Sequence, residues 1–130
     1  MATVADVMTK SLLTIEPETE LVEAARQMQA RNVGAVLVLA DDRVAGILTE
    51  RDILRAVAEG EVEHAEVGAW MTRGPETVSS TDSTGLAASI MIHGGFRHLP
   101  VVEEGGHPVG IVSIRDLVRF TIDDETPRGA

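Results

Sequence analysis

The 130-residue chain contains no cysteine, which excludes disulfides, thiol nucleophiles and Cys-ligated metal. It has no tyrosine, one tryptophan and two phenylalanines, so a core has to be built from Val, Ile, Leu, Met and Ala. Positive charge is scarce: 11 Lys and Arg stand against 21 Asp and Glu, for a net charge of −10. That balance argues against nonspecific nucleic-acid binding, which needs a basic footprint. It also requires that any anionic ligand be held by a local cluster of cations. No apolar run approaches the ~18 residues that span a bilayer, so no membrane partner is expected. The opening Met1-Ala2-Thr3-Val4-Ala5-Asp6 lacks the basic and apolar regions of a signal peptide, and a cytoplasmic location is expected. His64, His93, His98 and His107 are scattered, with no His-x-x-x-His pair to suggest a metal. Nucleophile–base pairs and Walker or Rossmann phosphate loops are also missing, so a binding module is favoured over an enzyme. The hydrophobic fraction of 44% is enough for one folded body of this length.

What the chain does have is a duplication. Gly46-Ile47-Leu48-Thr49-Glu50-Arg51-Asp52 returns 64 residues later as Gly110-Ile111-Val112-Ser113-Ile114-Arg115-Asp116. At an offset of 63, Met8-Thr9 matches Met71-Thr72, Thr14 matches Thr77, Ala24-Ala25 matches Ala87-Ala88, and Met28 matches Met91. Two copies are too few for a solenoid, which leaves a pseudo-symmetric pair sharing one core.

Each copy reads as β-α-β-β-α. One helical turn is expected over 3–8, then a strand at 12–15 closed by Pro17. Thr19 is the expected N-cap of a helix over 20–31, whose Leu21, Ala24, Ala25 and Met28 fall on one face. The apolar run 35–39 and residues 44–48 form a hairpin around Asp41-Asp42-Arg43, and a helix over 50–58 is stopped by Gly60. In the second copy strands are expected at 76–79, 99–102 and 109–113, with helices over 84–93 and 114–121. Gly94-Gly95 supplies a left-handed C-cap, and Gly105-Gly106 a hairpin turn. The segments are 4–58 and 67–121 as repeats, 59–66 as an acidic linker, and 122–130 as a flexible tail.

These residues resemble the cystathionine β-synthase (CBS) domain family. Val7-Met8-Thr9, a short strand, and Pro17-Glu18-Thr19-Glu20-Leu21 opening a helix are similar to the start of such a domain. So is Phe96-Arg97-His98-Leu99-Pro100-Val101-Val102 before the second hairpin, and the Gly-apolar-apolar-Thr/Ser-x-x-Asp stretch is that family's ligand motif. The resemblance covers nearly the whole chain and implies a stand-alone CBS pair, or Bateman module. The implied fold is α+β, with the two repeats packed through their sheets as a pseudo-twofold pair. The implied function is regulatory. An adenosyl ligand (AMP, ADP, ATP, NAD or S-adenosylmethionine) binds between the repeats and changes conformation or dimer geometry for a protein partner. A homodimer and no required cofactor are implied as well. The open alternative is an interaction or dimerisation module whose clefts stay empty.

Residue chemistry fits that role. A carboxylate can accept two hydrogen bonds from a ribose diol, and a hydroxyl at a helix start sits beside free N–H groups suited to phosphate. Thr49-x-x-Asp52 and Ser113-x-x-Asp116 also fit a capping box with Asp in place of Glu, and the two readings are compatible. The resemblance implies a preferred cleft of Asp116, Ser113 and Arg115, with Arg97 and His98 toward phosphate and with Val7 and Val33-Gly34-Ala35 expected to hold the base. In the first copy Gly34-Ala35 stand where the second has Arg97-His98, and they offer no charge. The weaker cleft holds Asp52, Thr49 and Arg51, with Trp70 and Phe96 near the base. Trp70 replaces Val7 of the other copy, and either stacks on adenine or fills the cleft.

Overall fold

The computed structural model describes residues 2–125, with side chains through Ile122. In chain order the elements are α1 (Val4–Val7), β1 (Thr14–Ile15), α2 (Leu21–Arg31), β2 (Ala35–Ala40), β3 (Arg43–Thr49), α3 (Glu50–Ala58), α4 (Val67–Trp70), β4 (Thr72–Arg73), α5 (Thr84–Gly94), β5 (His98–Val102), β6 (Pro108–Ser113) and α6 (Ile114–Glu125). They gather into two compact α+β units. Among the described residues, unit one comprises 2–11, 76–104 and 108–125, and unit two 12–75 with the hairpin tip 105–107. The unit boundaries do not follow the repeats. The lead helix of the first repeat, α1, belongs to the unit built from the second repeat, and α4 belongs to the unit built from the first.

Unit two contains a four-stranded sheet in the order β1-β2-β3-β4. β1 runs parallel to β2, with Ile15 beside Val38, and β2 and β3 form an antiparallel hairpin closed by Ala40 and Arg43. Asp41 and Asp42 both take positive φ, 53° and 62°, as the two-residue turn that matches strand twist requires. β4 pairs with β3 through Gly46–Arg73 and Ile47–Thr72. Unit one carries the same plan with shorter pairings. β5 and β6 form the hairpin, and its neighbours shrink to single bridges, Val78 to Val101 and Thr9 to Ile111.

The lead helices are docked by equivalent hydrogen bonds. In unit one, Val4 N–H donates to Asp82 O and Ala5 N–H to Ser80 O, at 2.8 and 2.9 Å. In unit two, Val67 N–H donates to Thr19 O and Gly68 N–H to Pro17 O, both at 2.8 Å. Val4 and Val67 are fully buried. Unit one packs Val4 with Val78, Ala87, Met91, Leu99, Val101, Val112 and Leu117. Unit two packs Val67 with Ile15, Ala24, Met28, Val36, Val38 and Leu48. Burying Val4 or Val67 stabilises its unit by about 1.5–3 kcal/mol, and in each case the other repeat supplies the valine.

This docking explains the glycine that opens the repeated heptad. A Cβ on Gly46 would stand 2.6 Å from Met71 Sδ and 2.8 Å from the Thr72 carbonyl. A Cβ on Gly110 would stand 2.7 Å from Met8 Sδ and 3.1 Å from the Thr9 carbonyl. Each Gly is therefore the seat of the Met-Thr that follows a lead helix, which ties together the two strongest fragments of the sequence repeat.

Several local expectations are corrected. Thr19 does not cap α2. Its N–H donates to Glu16 O and its carbonyl accepts from Val67 N–H, so it is occupied in a turn and the cap position falls to Glu20, with no side-chain cap bond. In the second copy the cap one residue later is Ser83, whose Oγ accepts from Leu86 N–H at 3.0 Å. The strand expected at 76–79 is a bridge at Val78 alone, and the pairing with β3 falls instead to β4, on Thr72 and Arg73. α6 continues to Glu125, through the first residues of the expected tail; the rest of that tail, 126–130, lies outside the described residues. Gly95 does provide the left-handed cap of α5, at φ 73°.

Candidate functional site

The second copy of the motif lies where β6 runs into α6. Ser113 ends the strand and Asp116 sits in the first turn of the helix. Ser113 N–H donates to Asp116 Oδ2 at 2.8 Å, and Asp116 N–H donates to Ser113 Oγ at 3.0 Å. This reciprocal pair satisfies orphan donors of the helix start. Oδ1 has no hydrogen-bond or ion-pair partner among the described residues, and the side chain is half-buried. The carboxylate thus caps its helix with one oxygen, and the other is not engaged by any described residue.

The hairpin register brings the expected basic pair to this place. His98 stands opposite Ser113, and Ile114 N–H donates to the Arg97 carbonyl at 2.9 Å. Arg97 and Arg115 are exposed and His98 is half-buried. Val7 packs against the same core, alongside Ile114 and Phe96. Asp116, Ser113, Arg115, Arg97, His98 and Val7 therefore share unit one. In a chain of net charge −10, two exposed arginines, Arg97 and Arg115, thus lie close along the backbone to the start of α6.

The first copy repeats the backbone geometry without the basic pair. Ala35 stands opposite Thr49, and Glu50 N–H donates to the Gly34 carbonyl at 3.1 Å. Within unit two, Val33, Gly34 and Ala35 thus adjoin the Thr49–Asp52 motif. Asp52 is 4% exposed. Its Oδ2 accepts from Thr49 N–H at 2.9 Å and Thr49 Oγ1 at 3.1 Å, while Oδ1 accepts from Arg55 Nη1 at 2.8 Å. The Arg55 guanidinium also lies over the Trp70 ring, 5.5 Å from its centroid. Sequence reasoning missed Arg55, although its place three residues after Asp52 on a helix was a usable signal. Arg51 is exposed. Phe96, assigned to this cleft from sequence, is part of unit one. Its ring is folded against Gly94, where a Cβ would collide with it, and packs on the unit-one core.

A surface cavity of about 300 Å³ lies in unit two, lined by Ala25, Met28, Gln29, Asn32, Val33, Glu50 and Ile53. It shares Val33 with the expected base-binding segment but includes neither Asp52 nor Trp70. Among the described residues, no cluster of three or more His, Asp or Glu could hold a metal ion, and no helix is long and apolar enough to cross a membrane.

Two α+β units, each with a hydroxyl–carboxylate pair where a hairpin strand enters a helix, define a duplicated architecture. The CBS domain family model matches residues 4–59 and 66–123, and the chain belongs to that family. It is 35% identical over 133 residues to the CBS domain-containing protein YhcV of Bacillus subtilis, spanning all of this chain and 93% of that one. Among solved structures, the CBS domain pair of MJ0100, in complex with 5′-methylthioadenosine and S-adenosyl-L-methionine, aligns with a TM-score of 0.91 and 24% identity, over 96% of this chain and 99% of that one. CBSX2 in complex with AMP aligns at 0.87 and 26% identity, over 97% and 100%. The fold is that of a CBS domain pair.

Proposed function

We propose that this chain is a regulatory sensor that binds an adenosyl ligand at the Asp116 motif. The supporting observation is the state of Asp116: one carboxylate oxygen caps α6 and the other has no partner among the described residues. That free oxygen suits a ribose hydroxyl, and hydrogen bonds to an ionised acceptor are the stronger kind. Ser113 and the first N–H groups of α6, with Arg97, Arg115 and His98 around them, suit a phosphate or another anionic tail. Val7 offers an apolar contact for the base. The family resemblance adds Val33, Gly34 and Ala35; they belong to unit two, and we rest the proposal on the unit-one residues. The solved relatives with AMP and with S-adenosylmethionine support the ligand class.

Signalling would follow from population shift, the ligand favouring the conformation that holds it best. A homodimer fits the exposed apolar side chains at equivalent places in the two repeats, Leu54 on α3 and Val118 on α6, at 67% and 52% exposure. Val118→Asp should lower the dimer fraction in light scattering.

Calorimetry and thermal shift with AMP, ATP, NAD and S-adenosylmethionine test the ligand reading. A ligand at 100 times its Kd should add ~2.7 kcal/mol of stability, and Asp116→Ala should weaken binding at least ten-fold. Binding that Asp116→Ala leaves untouched, or no binding of any of the four, sinks the proposal.

A further inference from the structure

The two copies of the motif are in different states. In unit two, Thr49, Asp52, Arg55 and Trp70 close on one another. Both Asp52 oxygens are occupied, the carboxylate is buried, and the guanidinium that holds Oδ1 rests on an indole ring. At the equivalent positions unit one has Ser113, Asp116, Arg119 and Val7. Arg119 is exposed and makes no ion pair with Asp116. The difference follows from one substitution in the lead helices. A guanidinium gains from lying over an indole face, and Trp70 provides one where Val7 cannot.

We propose that Arg55, held by Trp70, is a latch that closes the unit-two motif to ligand, so that each chain takes a single adenosyl ligand at Asp116. A ribose diol can use a motif carboxylate only if one edge of it is free. At Asp52 that edge is taken by Arg55, and a ligand would have to break a charge-assisted hydrogen bond and a cation–π contact before making its own. Removing the guanidinium frees Oδ1 and uncovers the ring together. The inference deepens the Asp116 reading and rests on it for the count of one, while the latch itself is testable apart from that site.

The test is calorimetry with AMP and with S-adenosylmethionine on the full chain, paired with fluorescence of Trp70, the only tryptophan present. Wild type should take up one equivalent of whichever probe binds, and Arg55→Ala two. The double variant Arg55→Ala/Asp116→Ala should keep one equivalent, and its binding should shift Trp70 emission. Trp70→Val, which copies Val7, should loosen the latch and raise second-site affinity at least ten-fold. Circular dichroism confirms folding, and Arg55→Gln, which retains the stem, substitutes if Arg55→Ala does not fold. Two equivalents in wild type, or one in both wild type and Arg55→Ala, overturns the latch while the Asp116 reading stands. No uptake by wild type but one equivalent with a Trp70 shift in Arg55→Ala overturns the Asp116 reading and keeps the latch. No uptake by either overturns both.

Discussion

Replacing Gly46 by alanine should destabilise the protein far more than so small a change suggests. The added methyl would stand 2.6 Å from Met71 Sδ and 2.8 Å from the Thr72 carbonyl, where nonbonded heavy atoms normally keep ~3.5–4.0 Å. The overlap is thus about 1 Å on two sides. Methionine is flexible and could swing its sulfur aside, but Met71 is buried and has little room. The carbonyl cannot yield, because Thr72 is paired with Ile47 in the sheet. The result is overpacking, with a cost of ~1–3 kcal/mol. At roughly 4 °C per kcal/mol for a chain of this size, the melting temperature should fall by about 4–12 °C. Urea denaturation followed by Trp70 emission measures it directly, since that tryptophan packs against the same core as Met71. Gly85→Ala is the control. Gly85 is exposed within α5 and a Cβ there meets nothing nearer than 3.9 Å, so alanine should stabilise by ~0.5–1 kcal/mol. If Gly46→Ala were as harmless as Gly85→Ala, the account of the repeated glycine as a seat for the lead-helix methionine would be wrong.

Other outcomes follow from the same geometry. Asp52→Ala should cost ~2–3 kcal/mol in chemical denaturation, because it removes a buried carboxylate with three bonds, whereas Asp116→Ala should cost ~1 kcal/mol, the usual value of a cap. Ser83→Ala should lower stability by ~0.5–2 kcal/mol through loss of the Leu86 N–H bond; circular dichroism melts would show it. A fragment of residues 12–75 should give a better dispersed NMR spectrum than a fragment of residues 1–59. The first retains Val67 and Met71 in its core, and the second lacks both.

Much of the fold was legible because apolar spacing and turn chemistry are local. The Ala24–Met28 face, the Asp41-Asp42 turn and the Gly95 cap each depend on a few neighbouring residues. The cap of α2 was misplaced because Thr19 has the right chemistry but is held in a turn by α4, a partner distant in sequence. For the same reason β4 and the core membership of α1 were not readable: periodicity marks which face of a helix is apolar, not which core receives it. At the site, the neighbourhood of Arg97, His98 and Ser113 was legible through hairpin register. The closed state of Asp52 was not, since it depends on Trp70 reaching Arg55 from another element.

The exchanged lead helices also bear on descent. A chain with a single repeat would have an arm that leaves its own body and an empty slot where an arm belongs. Two such chains could complete each other only by trading arms, as a domain-swapped homodimer. Fusing two copies end to end makes that trade intramolecular and frees each half to change alone. Once the arms are separate genetic positions, one can keep valine while the other becomes tryptophan, and a pair of identical pockets can become an open one and a shut one.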